Sequence, residues 1–180
     1  MIKDKFEEFI SKQKKKSSSI EIDWDIQRSE WLQHLDLFYE SIELFLKPYT
    51  ENKTIELSFG TKKIIEEYIG EYEAKTAQIT IGSNRIKLDP IGTNLIGAKG
   101  RVDLIGPNGK IKFVLVNESA SAPKISVRVW IQGEEPPTNE EEQPKVISWV
   151  WRIATSPPKI RYFPLEKESF LDALMEVSNG

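Results

Sequence analysis

Few side chains in this sequence can do chemistry, and their spacing excludes more than it suggests. The single histidine, His34, stands four residues after Glu30 and two before Asp36. On a helix Glu30 and His34 share a face, as two metal ligands would, yet a two-histidine zinc motif lacks its second imidazole. With no cysteine, disulfides, thiolate metal sites and thiol nucleophiles are excluded. No serine occupies a Gly-x-Ser-x-Gly elbow, so the hydrolase arrangement fails too. Gly92–Gly100 (GTNLIGAKG) brings three glycines beside Lys99 and Arg101. A phosphate cradle needs such glycines at the start of a helix, with Ser or Thr after the Gly-Lys pair. This run leads into a strand pattern, which predicts a loop or β-bulge where glycine supplies positive φ.

Asp103 lies on one strand of a hairpin that returns as Lys110–Val116, with Lys99 before it and Glu118 after it. The hairpin resembles part of the PD-(D/E)xK nuclease fold, where an Asp on one strand and a Glu-x-Lys on the next hold a divalent metal. That resemblance implies an enzyme built around Asp103, Glu118 and Lys99. The place of Glu-x-Lys reads Phe113-Val114-Leu115-Val116 here, too little charge to hold a magnesium ion. A degenerate nuclease-like enzyme around Asp103 is therefore the third of three functional readings. No catalytic residue, metal or cofactor is expected.

The remaining chemistry is that of contact. Ile125, Val127, Val129 and Ile131 alternate along a strand pattern, which puts Trp130 on the opposite side with Ser126 and Arg128. A tryptophan on the non-core side of a sheet needs a cover, from a helix or from another molecule. After it, Gly133–Pro144 (GEEPPTNEEEQP) reads as a long acidic hairpin loop. Trp130, Arg128, Glu140, Glu141 and Glu142 are the expected partner-binding residues, with the acidic loop steering a basic partner. Lys12 and Lys14–Lys16 read as the solvated end of an N-terminal helix, beside neighbouring acids that weaken their field.

The elements that must position these residues follow from periodicity. Residues 2–15 are helix-permissive, and Lys14–Ser19 reads as a helix end and short linker. Trp31, Leu35, Phe38, Ile42 and Phe45 repeat at 4-3-4-3, predicting a helix over about 24–47, capped by Asp23 or Asp25 and stopped by Pro48. Thr54–Phe59 alternates as a half-buried strand, whereas Ile64, Ile65, Tyr68, Ile69 and Tyr72 predict a helix over 61–74. Two hairpins follow, Gln78–Ile81 with Arg85–Leu88 and Val102–Ile105 with Lys110–Val116, the second turning at Gly106-Pro107-Asn108-Gly109. Val146–Ile153 carries Trp149 and Trp151 on one face. Lys159–Phe163 predicts a last short strand, and residues 167–177 a closing helix with Phe170, Leu171, Leu174 and Val177 on one side.

Short turns between successive strands imply antiparallel neighbours. The expected fold is α+β: an antiparallel meander of about six or seven strands covered by helices, with an N-terminal helical extension over residues 1–20 and a single domain over 21–180. The order resembles the helix-grip arrangement of START-like lipid and small-molecule carriers, which implies an apolar cavity between sheet and helices. The chain has 180 residues, 39% hydrophobic and 29% charged, enough for one sizeable core. Its 25 basic and 28 acidic residues leave a net charge of −3, which disfavours a nucleic-acid partner while leaving a local basic patch open. No stretch approaches a membrane span or a secretory signal, and a cysteine-free chain fits the cytoplasm. The leading expectation is a non-enzymatic protein-binding or accessory protein, immunity- or antitoxin-like or an assembly subunit. The second is a small-molecule or lipid carrier.

Overall fold

The 4-3-4-3 stripe produces the helix it predicts. In the computed structural model, which describes residues 5–8, 10–11, 22–93, 95, 97–123 and 147–178, helix α1 spans Trp24–Glu51. Residues 5–8 and 10–11 ahead of it are helical as well. The Asp23 carboxylate caps α1 by accepting from the N–H groups of Asp25 and Ile26, both at 3.1 Å. Trp31, Leu35, Phe38, Tyr39, Ile42 and Leu46 are buried along one side. The helix runs past Pro48 rather than stopping there. Pro48 lies in the last turn on the exposed side, where one lost hydrogen bond is tolerated. The chain then reverses through Lys53, at φ 61°, with the N–H groups of Thr54 and Ile55 returning to the Tyr49 carbonyl.

Among the described residues, seven strands follow in one antiparallel sheet whose spatial order is the chain order. They are β1 (Glu56–Glu66), β2 (Gly70–Ile81), β3 (Asn84–Gly92), β4 (Gly100–Gly106), β5 (Gly109–Asn117), β6 (Trp149–Ala154) and β7 (Tyr162–Pro164). Helix α2 (Lys167–Ser178) closes the chain. The α+β class and the meander are as the sequence predicts.

The helix expected over 61–74 is instead the heart of the β1–β2 hairpin. The ladder runs unbroken from Glu56↔Thr80 to Glu66↔Gly70 around a three-residue turn, with Gly70 at φ 84°. Ile64, Ile65, Tyr68, Ile69 and Tyr72 satisfy a helical spacing, but the segment is rich in β-branched and aromatic residues, and Gly70 punctuates it. Pairing of Thr61–Glu66 with Gly70–Lys75 settles the choice. Burial along β2 changes parity midway: Ala77 and Ile79 are buried on one side of the bend, Tyr72 and Ala74 on the other. β3 pairs with β2 only from Ala77 to Ile81. Beyond that point β1 and β2 form a two-stranded ribbon, and such ribbons twist more strongly than a full sheet. The extra twist turns the even-numbered face inward.

Both helices cover one face of the sheet. Phe113 of β5 sits between them, 5.5 Å from Phe38 of α1 and 6.0 Å from Phe170 of α2, ring centre to ring centre. Trp151 of β6 lies 4.7 Å from Phe38 and 6.0 Å from Trp31, and its Nε1 donates to the His34 carbonyl at 3.1 Å. The β4–β5 turn caps α2: the Asn108 N–H and Nδ2 donate to the carbonyls of Val177 and Glu176. The final strand is shorter than the predicted Lys159–Phe163, because only Tyr162–Pro164 reaches β6.

Candidate functional site

Register places the candidate carboxylate, Asp103, on the face of the sheet away from the helices. Its strand neighbours Val102 and Leu104 are fully buried beneath α1 and α2, so Asp103 must point outward. Arg101, two residues back on the same face, grips it through two bonds, Nε to Oδ1 at 2.6 Å and an Nη to Oδ2 at 2.7 Å. Lys110 adds a third contact at 3.4 Å. Directly across the ladder stand Lys112 on β5 and Asp89 on β3. Asp89 is itself held by Lys62 at 2.9 Å and Lys87 at 3.1 Å. Partial burial pushes the Asp89 carboxyl up, but the hydrogen bonds and charges of Lys62 and Lys87 outweigh it and hold the group below its ordinary value.

This arrangement does not assemble Asp103, Glu118 and Lys99. Lys99 pairs with Glu30 of α1 and lies 5.0 Å from the centre of the Trp149 ring. Glu118 is exposed, and its backbone pairs with Ser148 and takes a long bond from Arg152. Among the described residues, no three His, Asp or Glu side chains converge as a metal site would require. His34 is half-buried beside the apolar stripe. Burial, then the nearby Lys99, lower its pKa, while Glu30 opposes them.

The glycine run does what a bulge does. The β3–β4 register shifts between Pro90 and Gly92, and Gly92 adopts φ 126°. A side chain there would press on the Glu66 carboxylate. Glu66 anchors a polar cluster that the periodicity of 61–74 concealed. Its Oε1 accepts from the Tyr72 hydroxyl at 2.5 Å, and its Oε2 accepts from the Thr93 N–H and hydroxyl, both at 2.9 Å. Burial, and then the bond and charge of Glu66, hold the Tyr72 phenol far above its usual range. The cluster pins the ribbon to the bulge.

Trp149 and Trp151 do share a face, the one toward α1. Trp130, Arg128 and Glu140–Glu142 fall outside the described residues, as does the strand expected over Ile125–Ile131. The structure adds a feature the sequence did not announce. Among the described residues, β1 is the edge of the sheet and pairs with β2 alone. Between it and the C-terminal half of α1 lies a groove of about 850 Å³. Its floor is apolar, with Leu44, Ile55, Leu57 and Phe59. Glu40, Glu43, Glu51 and Glu56 line it against Lys47 and Lys53, and Lys47 is 3.9 Å from Glu51. Leu44 is 68% exposed, a large apolar side chain left to solvent beside Glu40, Glu43 and Lys47.

Neither a family model, nor a characterised protein, nor a solved structure matches this chain. The functional reading therefore rests on geometry and chemistry alone.

Proposed function

We propose that the protein is a non-enzymatic binding or accessory protein that engages a basic polypeptide partner, as an immunity-like inhibitor or an assembly subunit would. The observation that carries this is the acidic groove along β1, whose outer edge no strand among the described residues covers. An edge strand offers a row of unpaired backbone N–H and C=O groups, a template on which another chain can add. Exposed Leu44 and Phe59 and half-buried Leu57 supply apolar anchors, and the glutamates favour lysine and arginine at the fringe. Glu140–Glu142 add further negative charge in the sequence, and the cytoplasm is the compartment this reading assumes. A carrier role calls for an enclosed apolar hollow of several hundred Å³. Trp31, Phe38, Tyr39, Phe113 and Phe170, all fully buried, fill the space between sheet and helices where the helix-grip analogy would put it.

Native mass spectrometry on the protein isolated gently from its own source tests the reading. A stoichiometric basic polypeptide that is lost from a Glu40→Lys/Glu43→Lys variant supports it. A retained small molecule of a few hundred daltons replaces it with the carrier reading. A partner that stays bound to the doubly reversed variant moves the interface away from the groove.

A further inference from the structure

We propose that the outer face of the sheet binds the phosphodiester backbone of a nucleic acid. This surface lies on the opposite side of the sheet from the helices and shares with the groove Glu56, at its rim. Antiparallel partners share a face, so the register alone assembles it. Gln78↔Lys87 and Thr80↔Arg85 join β2 to β3, Asp89↔Asp103 joins β3 to β4, and Asp103↔Lys112 and Ile105↔Lys110 join β4 to β5. Arg85, Lys87, Arg101, Lys110 and Lys112 thus surround two carboxylates, Asp89 and Asp103, and Lys62 of β1 reaches Asp89 from the side. One further acid, Glu56, stands at the rim opposite Thr80. A chain with a net charge of −3 gathers a surplus of positive charge on this one surface. The compensating acids lie elsewhere. Helix α1 carries Asp25, Glu30, Asp36, Glu40, Glu43 and Glu51 against Arg28 and Lys47.

The ion pairs do not consume this surplus, because each carboxylate is shared by two cations: Asp89 by Lys62 and Lys87, Asp103 by Arg101 and Lys110. Asp103 and Asp89 work as struts. The Asp103 side chain is 3% exposed, and it holds the flanking cations extended on the sheet. The outer members of the pairs, Lys87 and Lys110, keep about half their side-chain surface in solvent, 54% and 48%. Among the described residues, no carboxylate pairs with Arg85 or Lys112. Same-face neighbours stand roughly 6.7 Å apart along a strand and about 4.8 Å apart between strands, so the cations form a close lattice on a rigid support. A polyanion of regularly spaced single charges matches such a lattice. Binding would be driven by counterion release and indifferent to sequence. A lipid surface fits less well. Ile91 and Ile105, each 37% exposed, are the large exposed apolar side chains among these cations, and two scattered isoleucines offer little to insert into a bilayer.

The test uses the full chain and a fluorescein-labelled DNA duplex of about 20 base pairs, with anisotropy followed from about 50 to 200 mM salt. We expect a Kd of about 10⁻⁴ to 10⁻⁶ M and a log–log salt slope of about −3 to −4, from some four phosphate contacts at about 0.9 each. Arg85→Gln/Lys112→Gln removes the two unpaired cations and should lower the slope by about 2. Arg85→Gln alone, on an exposed hairpin position, should lower it by about 1 should the double variant fold poorly. Arg28→Gln, on α1, is the control for altered charge elsewhere and should leave the slope unchanged. Absence of binding at the lowest salt overturns the proposal, as does a slope equal in the wild type and the variants. Binding to phosphatidylserine vesicles without binding to the duplex overturns it in favour of a membrane surface.

Discussion

Substituting Gly100 by alanine asks whether the spacing between α1 and the sheet is set by one absent side chain. Gly100 opens β4 and is buried. A Cβ built on it would lie well under 3.0 Å from Cζ3 and Cε3 of Trp31. Those ring atoms have nowhere to go: Trp31 is fully buried, with Trp151 beside it and Phe38 packed against Trp151. Gly100 needs no special backbone conformation, so strain in φ does not enter and the effect is one of volume alone. Overpacking a filled core costs about 1–3 kcal/mol, and a rigid indole with a rigid neighbour belongs at the upper end. For a chain of this size that corresponds to a fall in Tm of roughly 4–12 °C. Urea unfolding of Gly100→Ala, Trp31→Leu and the double variant provides the assay. Trp31→Leu alone should cost about 2–5 kcal/mol through the cavity it leaves. In that background Gly100→Ala should cost under about 1 kcal/mol, giving a coupling energy of about 2 kcal/mol. Additive effects, or an alanine tolerated beside the intact tryptophan, would refute the close approach and with it the packing of α1 on β4.

Three further outcomes follow from the polar groups. Tyr72→Phe removes a hydrogen bond to a carboxylate and should destabilise the fold by about 1.5–3 kcal/mol in urea unfolding, with hydrogen exchange rising first in the β1–β2 ribbon. His34, whose pKa is lowered by burial and by Lys99, takes up its proton less readily folded than unfolded; its contribution is full above pH 6.5 and is lost as the pH falls through the lowered value, so His34→Gln should flatten Tm against pH in that window. Asp89 is lowered too, through Lys62 and Lys87; its contribution is present above the ordinary carboxylate range and disappears as the pH falls through its folded value, so Asp89→Asn should flatten the acid limb of the stability profile.

Much of the fold was legible because it is written in short-range patterns. The stripe from Trp31 to Phe45 repeats at the helical period wherever the helix docks, and Gly106-Pro107-Asn108-Gly109 can hardly be anything but a turn. The Gly92–Gly100 run was readable as a bulge for the same reason. The stretch 61–74 was not, because Ile64, Ile65, Tyr68, Ile69 and Tyr72 meet a helical spacing while their residue types favour a strand. The polar cluster on Glu66 disappeared with that misreading. Of the partner-binding residues read from the sequence, Trp130, Arg128 and Glu140–Glu142 lie outside the described residues, while the groove and the cation lattice emerge only from residues far apart in the chain.

The sequence by itself determined the class of the fold, the stripe of α1, two of the tight turns and the lack of thiols and of a second imidazole. Each depends on composition or on neighbours a few positions apart. Tertiary structure decided that β1 is an edge, that 61–74 extends, and that Asp103 faces Asp89 and Lys112 rather than Glu118 and Lys99. Those outcomes depend on register between strands. Register follows from which faces the helices bury and how far a two-stranded ribbon twists once it leaves the sheet.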